Sequence, residues 1–218
     1  MPLPKSAELF FGLGPKLTNE QKVYLDSIFD NQLTMVNAPA GSGKTTLAVG
    51  AAKILGKPLV YIFAPVEEKK MGYRPGNQTE KEMEYYQPLL DALLEINEEP
   101  ARVVYADENI ENEKNGNVWV YPKSHIFARG TNIKDSTVII AESQNFTRGE
   151  LKKVLTRIHD SCTVIMEGHT GQNDLADPRK SGFEPYINHL KDEEWANACQ
   201  LTVNFRGRLS TAADKLSW

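Results

Sequence analysis

Ala38-Pro39-Ala40-Gly41-Ser42-Gly43-Lys44-Thr45-Thr46 is the stretch on which the rest of the chain turns. It departs by one residue from the pattern G-x-x-x-x-G-K-[ST], with Ala38 in place of the first glycine. It lies between an apolar run, Leu33-Thr34-Met35-Val36, and a helix-forming segment from about Thr45 to Leu55. In a strand, small-residue turn and helix of this kind, successive backbone N–H groups converge on a phosphate and the helix N-terminus adds its partial positive charge. Pro39, Ala40, Gly41, Ser42, Gly43, Lys44, Thr45 and Thr46 are therefore the candidate phosphate-binding residues. Lys44 is expected to reach the β and γ oxygens and Thr45 to ligate Mg²⁺. A glycine-rich turn with a surface lysine is the bland alternative, and the flanking strand and helix argue against it.

Upstream, Thr18-Asn19-Glu20-Gln21 has the form of a capping box, opening a helix expected to bury Val23, Leu25, Ile28 and Phe29 and to end at Asp30-Asn31. Downstream, Leu59-Val60-Tyr61-Ile62-Phe63 predicts a second buried strand, ended by Ala64-Pro65. Thr79-Glu80-Lys81-Glu82 opens a helix whose apolar positions Met83, Tyr86, Leu89, Leu90, Leu93 and Leu94 recur at helical spacing, stopping by Pro100. From about 96 to 122 the chain is rich in Glu, Asn and Gly. Asn115-Gly116 beside Val118-Trp119-Val120-Tyr121 predicts a peripheral hairpin or insertion.

Thr137-Val138-Ile139-Ile140 is the third core strand, and Thr147-Arg148-Gly149-Glu150 caps a helix with Leu151, Val154, Leu155 and Ile158 inward. Thr163-Val164-Ile165-Met166 and Leu201-Thr202-Val203 supply further strands. Buried strands alternating with helices predict an α/β fold, one P-loop domain over 1–218 with a mostly parallel sheet covered on both faces.

A P-loop enzyme needs groups at a neighbouring strand end to hold the metal's water shell and polarise the attacking water. Val138-Ile139-Ile140-Ala141-Glu142 offers Glu142 as base and metal-side acid, while Ala141 stands where most such enzymes have aspartate. Met166-Glu167-Gly168-His169-Thr170-Gly171-Gln172 follows another strand and offers Gln172 toward the γ-phosphate or its water. Arg129, Arg157, Arg206 and Arg208 sit on separate loops and helix ends, where one or more would neutralise transition-state charge. Surface arginine is the ordinary reading of each taken singly.

The composition is that of a soluble globular chain of 218 residues, 40% hydrophobic and 25% charged, without a spanning apolar run or a signal-peptide core. Cys162 and Cys199 are too few for a disulfide framework, so a reducing cytoplasm is expected. The net charge of −4 argues against coating nucleic acid by bulk attraction. Residues 67–114 hold thirteen acids and six bases, a net −7, which leaves +3 for the remainder and room for a local basic surface.

From about Leu17 to Ser210 the chain resembles the PhoH family of P-loop ATPases, which is related to the superfamily 1 helicase core. The likeness rests on Phe127-Ala128-Arg129-Gly130-Thr131, Ala141-Glu142-Ser143-Gln144-Asn145 against the family's D-E-A-Q-N, and Leu155-Thr156-Arg157-Ile158. It rests also on Gly168-His169-Thr170-Gly171-Gln172-Asn173-Asp174-Leu175 against G-D-x-x-Q-x-D-L, and on Gly72-Tyr73-Arg74-Pro75-Gly76. Four departures stand out: Ala38 for glycine, Ala64 where the family usually has arginine, Ala141 for the metal-side aspartate, and His169 for the aspartate of the G-D block.

The resemblance implies Gln21 at adenine, although the capping box accounts for Gln21 equally well. It also implies Arg129 and Arg157 near the nucleotide, and Arg206 of Asn204-Phe205-Arg206 as the γ-phosphate arginine. A single RecA-like P-loop domain, ATP with Mg²⁺, an ATPase of helicase-like motor type and RNA or single-stranded nucleic acid as partner follow as expectations. Tyr73, Arg74, His125, Phe127, Arg129 and Lys134 are offered for nucleic-acid contact. Superfamily 1 helicases complete their site between two cores. One core alone therefore implies a ring, a hexamer by expectation, in which a neighbouring copy supplies an arginine. A nucleotide-binding assembly module with turnover impaired at Ala141, and a small-molecule kinase, are the alternatives.

Overall fold

The computed structural model of the protein describes residues 12–65, 84–106, 110–128 and 131–214. Six strands form one sheet in the order β3-β2-β4-β5-β1-β6, every neighbouring pair parallel. They are β1 Leu33–Asn37, β2 Leu59–Phe63, β3 Val120–Ser124, β4 Thr137–Ile140, β5 Thr163–Gly168 and β6 Ala196–Gln200. Every residue of β2 and β4 is buried, the pattern of strands covered on both faces. Alternation along them divides the core in two. Tyr61, Ile139, Ala141 and Ile165 join one apolar cluster, and Val60, Ile62, Val138, Ile140, Val164 and Met166 join the other.

The first cluster is closed by α1 (Asn19–Asp30), α2 (Lys44–Leu55) and α3 (Gln87–Glu95). Short helices α4 (Pro100–Val103), α5 (Ile110–Lys114) and α6 (His125–Ala128) follow α3 in the chain. The second cluster is closed by α7 (Arg148–Leu155) and α8 (Phe183–Leu190), and α9 (Arg208–Asp214) ends the described chain. Both predicted capping boxes form. Thr18 caps α1 with Gln21 reaching back, and Thr147 caps α7 with Glu150 reaching back. Among the described residues no helix is long and apolar enough to cross a membrane.

Three expectations change, and part of a fourth falls outside the described residues. In α1 it is Tyr24 that is buried, while Val23 is 57% exposed, because the face toward the sheet runs through Gln21, Tyr24, Leu25 and Ile28. The segment expected to form a hairpin is instead α4, α5 and the edge strand β3, which pairs parallel with β2. Asn115-Gly116 ends α5, Gly116 in the left-handed region at φ 69° and its N–H donating to the Glu113 carbonyl. The last strand is Ala196–Gln200, just before the expected Leu201–Val203, where the Thr202 N–H and hydroxyl both donate to the Glu20 carboxylate. Helix α3 begins at Gln87 with Pro88 in its first turn, and the Thr79 start proposed for it lies outside the described residues.

Candidate nucleotide site

The P-loop leaves β1 at Asn37 and enters α2 at Lys44, and its shape is fixed by its own glycines and by contacts from two sides. Gly41 and Gly43 take φ of 76° and 80°, a conformation that makes room for the turn and that side chains rarely adopt. At Gly41 a side chain is excluded on a second count, since an added Cβ would lie 2.6 Å from Arg206 Cγ and 2.8 Å from Asn204 Oδ1. The Phe205 N–H donates to the Gly41 carbonyl at 2.8 Å, so the Asn204-Phe205-Arg206 segment lies directly on the loop. From the other side Gln21, 7% exposed, donates through Nε2 to the Ser42 carbonyl at 3.0 Å while its Oε1 accepts from the Thr18 N–H. Gln21 thus completes the capping box of α1 and also clamps the P-loop.

A cavity of about 660 Å³ opens over this loop. Lys44, Thr45, Thr46, Asp91, Glu95, Glu142 and Arg206 are among its polar lining residues, and Leu13, Leu17, Pro88 and Phe205 among its apolar ones. Lys44 is mostly buried, and its ammonium lies 3.6 Å from Glu142 Oε1. Glu142 follows β4 in the left-handed region at φ 47°, unusual for a residue with a side chain, and its carboxylate remains 45% exposed toward the cavity. Thr46 donates its hydroxyl to Glu95 of α3.

Gln144 and Asn145 tie the end of β4 to the loop that follows β5. Gln144 Nε2 donates to Glu142 Oε2 at 2.6 Å, and its Oε1 accepts from the His169 N–H at 3.0 Å. Asn145 and Asp174 exchange two hydrogen bonds, and Asn37 does the same with Thr170. Gly168 admits this network, because a Cβ there would stand 2.7 Å from Gln144 Oε1.

One residue that sequence reasoning left without a role lies at the centre. Glu167, near the end of β5, is wholly buried and accepts the Thr45 hydroxyl hydrogen bond on Oε1 at 2.8 Å. Burial pushes its carboxyl up to about 7; the Lys44 ammonium and the Thr45 hydroxyl pull it down, and the Glu142 carboxylate pushes it up. Its Oε2 and the Ser42 Oγ are buried without a hydrogen-bond partner among the described residues. A hydroxyl donor and a carboxylate acceptor left open beside inward-turned backbone suit a phosphate and its cation. No group of three or more His, Cys, Asp or Glu among the described residues would hold a metal alone. Mg²⁺ bound with a nucleotide does not require one, since phosphates and water supply most of its ligands.

Not every proposed residue comes to the cavity. Gln172 is exposed on the loop after β5 and does not line it. Arg157 is exposed where α7 returns to the amino end of the sheet, its carbonyl accepting from the Ile133 N–H, so it stands at the end opposite the P-loop. Arg129, Tyr73 and Arg74 lie outside the described residues. His125 is buried, edge-on to Phe146 and 3.4 Å from Glu150, and Lys134 lies before β4 at the sheet's amino end. The structure does not bring these last two together at one surface.

A parallel sheet with a glycine-rich loop between β1 and α2, and lysine, threonine and strand-end carboxylates around it, defines a P-loop nucleotide-binding protein. The fold is similar to the helicase domain of Hef from Pyrococcus furiosus, with a TM-score of 0.51, 13% identity, and coverage of 91% of this chain and 40% of that one. The family model described as PhoH-like protein matches residues 15–211, and the chain belongs to that family. It is 33% identical over 190 residues to a PhoH-like protein of Synechocystis, covering 84% of this chain and 55% of the relative. It is 32% identical over 172 residues to one from Bacillus subtilis, covering 76% and 51%. The chain thus spans about half the length of the curated relatives it matches.

Proposed function

We propose that the chain binds ATP with Mg²⁺ and hydrolyses it, as a helicase-like motor core acting on RNA or single-stranded nucleic acid. The observation that carries this is the Lys44–Glu142 pair, 3.6 Å apart at the rim of the P-loop cavity. A P-loop cation beside a strand-end carboxylate is the pairing that phosphate binding and activation of a water would use. The apolar flank of Leu13, Leu17 and Pro88 suits the flat face of a base, and Arg206 lies on the phosphate side. Thr45 would hold the cation, which when bound screens the charge on the phosphate oxygens. Glu142, held by Gln144, accepts the proton of a water, and its exposure to the cavity leaves that water room.

Arg157 stands at the far end of the sheet from its own cavity, so a role at a nucleotide would require a neighbouring copy. A ring, six-membered by our expectation, supplies one, and sedimentation with and without nucleotide tests it: a monomer under all conditions removes this part. Ala141 favours the second reading, a nucleotide-binding assembly module with little turnover, because the end of β4 lacks its aspartate. Phosphate release from MgATP, titrated with single-stranded RNA, decides between them. Release that rises with RNA supports the motor, background release with retained ATP binding supports the module, and a phosphorylated acceptor in place of free phosphate supports a kinase.

A further inference from the structure

We propose that Glu167, near the end of β5, supplies the metal-side carboxylate that Ala141 does not, so that the acid partnering Thr45 and Mg²⁺ has moved one strand toward the P-loop. The proposal rests on the Mg-nucleotide reading above and deepens it.

The sheet register places the two positions side by side. Ile140 pairs with Met166, which sets Ala141 level with Glu167. Alternation turns both residues to the face that α2 covers, since Ile139 and Ala141 pack in that core cluster and Ile165 precedes Glu167 by two. Glu167 pairs on its other side with Val36 of β1, the strand that feeds the P-loop, whereas β4 is one strand further away. An acid on β5 is therefore nearer the first turn of α2 than an acid on β4. Its Oε1 already receives the hydroxyl of Thr45.

A carboxylate here needs an account, because burying one is costly unless a cation or several donors meet it. The nearby cation is Lys44, and it pairs with Glu142; among the described residues no ion pair reaches Glu167. One hydrogen bond to Oε1 leaves Oε2 without a partner in a wholly buried site. If Glu167 served only to accept the Thr45 hydroxyl, the neutral amide of glutamine would do so as well without burying a charge. A divalent cation arriving with a triphosphate answers both the charge and the open oxygen, and Mg²⁺ takes one or two carboxylates alongside phosphate and water. Glu142 is then free of the metal and left to the attacking water.

The test compares binding of a fluorescent ATP analogue in Mg²⁺ and in EDTA for the wild-type chain, Glu167→Gln, Glu167→Asp, and Glu167→Gln combined with Ala141→Asp. The wild-type chain is expected to bind more tightly with Mg²⁺. Glu167→Gln should bring that advantage down by roughly 10–100-fold, the usual cost of losing a group that supports a metal. Its affinity in EDTA should hold or improve, which also shows that the variant is folded. Glu167→Asp keeps part of the advantage, and the added Ala141→Asp restores it by returning an acid to β4. Titration of Mn²⁺ by electron paramagnetic resonance in the presence of the analogue should give the same order. An unchanged Mg²⁺ advantage in Glu167→Gln, or none in the wild-type chain, overturns the proposal. A wild-type chain that binds no ATP in either buffer instead overturns the nucleotide reading on which it rests.

Discussion

Replacing Gln21 separates a helix cap from a P-loop clamp, and the size of the effect follows from what its amide touches. The side chain accepts from the Thr18 N–H and donates to the carbonyl of buried Ser42. Gln21→Ala removes both bonds, each worth about 1 kcal/mol net, and leaves the Ser42 carbonyl without its donor, a further penalty of about 1 kcal/mol or more. Alanine's higher helix propensity returns only a few tenths of about 1 kcal/mol, so the expected loss is about 2–3 kcal/mol. Thr18→Ala removes only the cap and should cost about 1 kcal/mol.

Gln21→Glu sharpens the contrast. It keeps the acceptor toward Thr18 but sets a carboxylate oxygen against the Ser42 carbonyl at 3.0 Å in the parent geometry, so at neutral pH it should cost at least as much as alanine. A protonated glutamate can donate to that carbonyl, so folding raises this carboxyl's pKa. The deficit relative to wild type should therefore shrink as pH falls through the folded-state value and be smallest below the unfolded one. Urea denaturation with unchanged m-values gives the stabilities, and ATP-analogue titration reports whether the loosened loop binds less tightly. If Gln21→Ala costs no more than Thr18→Ala and leaves nucleotide affinity unchanged, the clamp plays no part.

Gly168→Ala should lose about 1–3 kcal/mol, since the new Cβ meets Gln144 Oε1 at 2.7 Å and Phe183 at 2.8 Å, and urea denaturation will show it. Thr147→Ala should cost about 1 kcal/mol through the cap of α7 while ATP affinity stays as it is, because that helix lies on the other face of the sheet. Arg157→Ala should leave ATP binding by its own subunit intact and lower phosphate release only at concentrations where subunits associate, which a dilution series of the release assay checks.

Much of the fold was legible because its four central strands are short, largely apolar runs buried on both faces and its two main caps are local. Thr18 with Gln21, and Thr147 with Glu150, need nothing beyond three residues of spacing. The misses arise where a distant partner decides. Ala-Asn-Ala-Cys-Gln of β6 carries no β-branched residue and becomes a strand because β1 offers it an edge, whereas Leu201-Thr202-Val203 looks more strand-like but meets Glu20 instead. Helix α8 was not foreseen from the sequence, and Pro185 falls in its first turn, where a proline is tolerated.

In the site, the P-loop and Glu142 were readable from motif spacing, while Glu167 was not. Nothing local distinguishes it from any strand-end acid, and only the pairing of β5 with β1 sets it beside Thr45. Gln21 was open between a cap and a ligand contact, and the structure adds the Ser42 clamp that its sequence neighbours could not reveal.

The most direct measurement for the central claim is single-turnover phosphate release from MgATP by the wild-type chain, Lys44→Ala and Glu142→Gln, each with its ATP affinity measured beside it. The account predicts release by the wild type, lost ATP binding in Lys44→Ala, and retained binding with release slowed by about 100-fold or more in Glu142→Gln, as the loss of a general base requires. Release at the wild-type rate from Glu142→Gln, or ATP binding unaffected by Lys44→Ala, would contradict it.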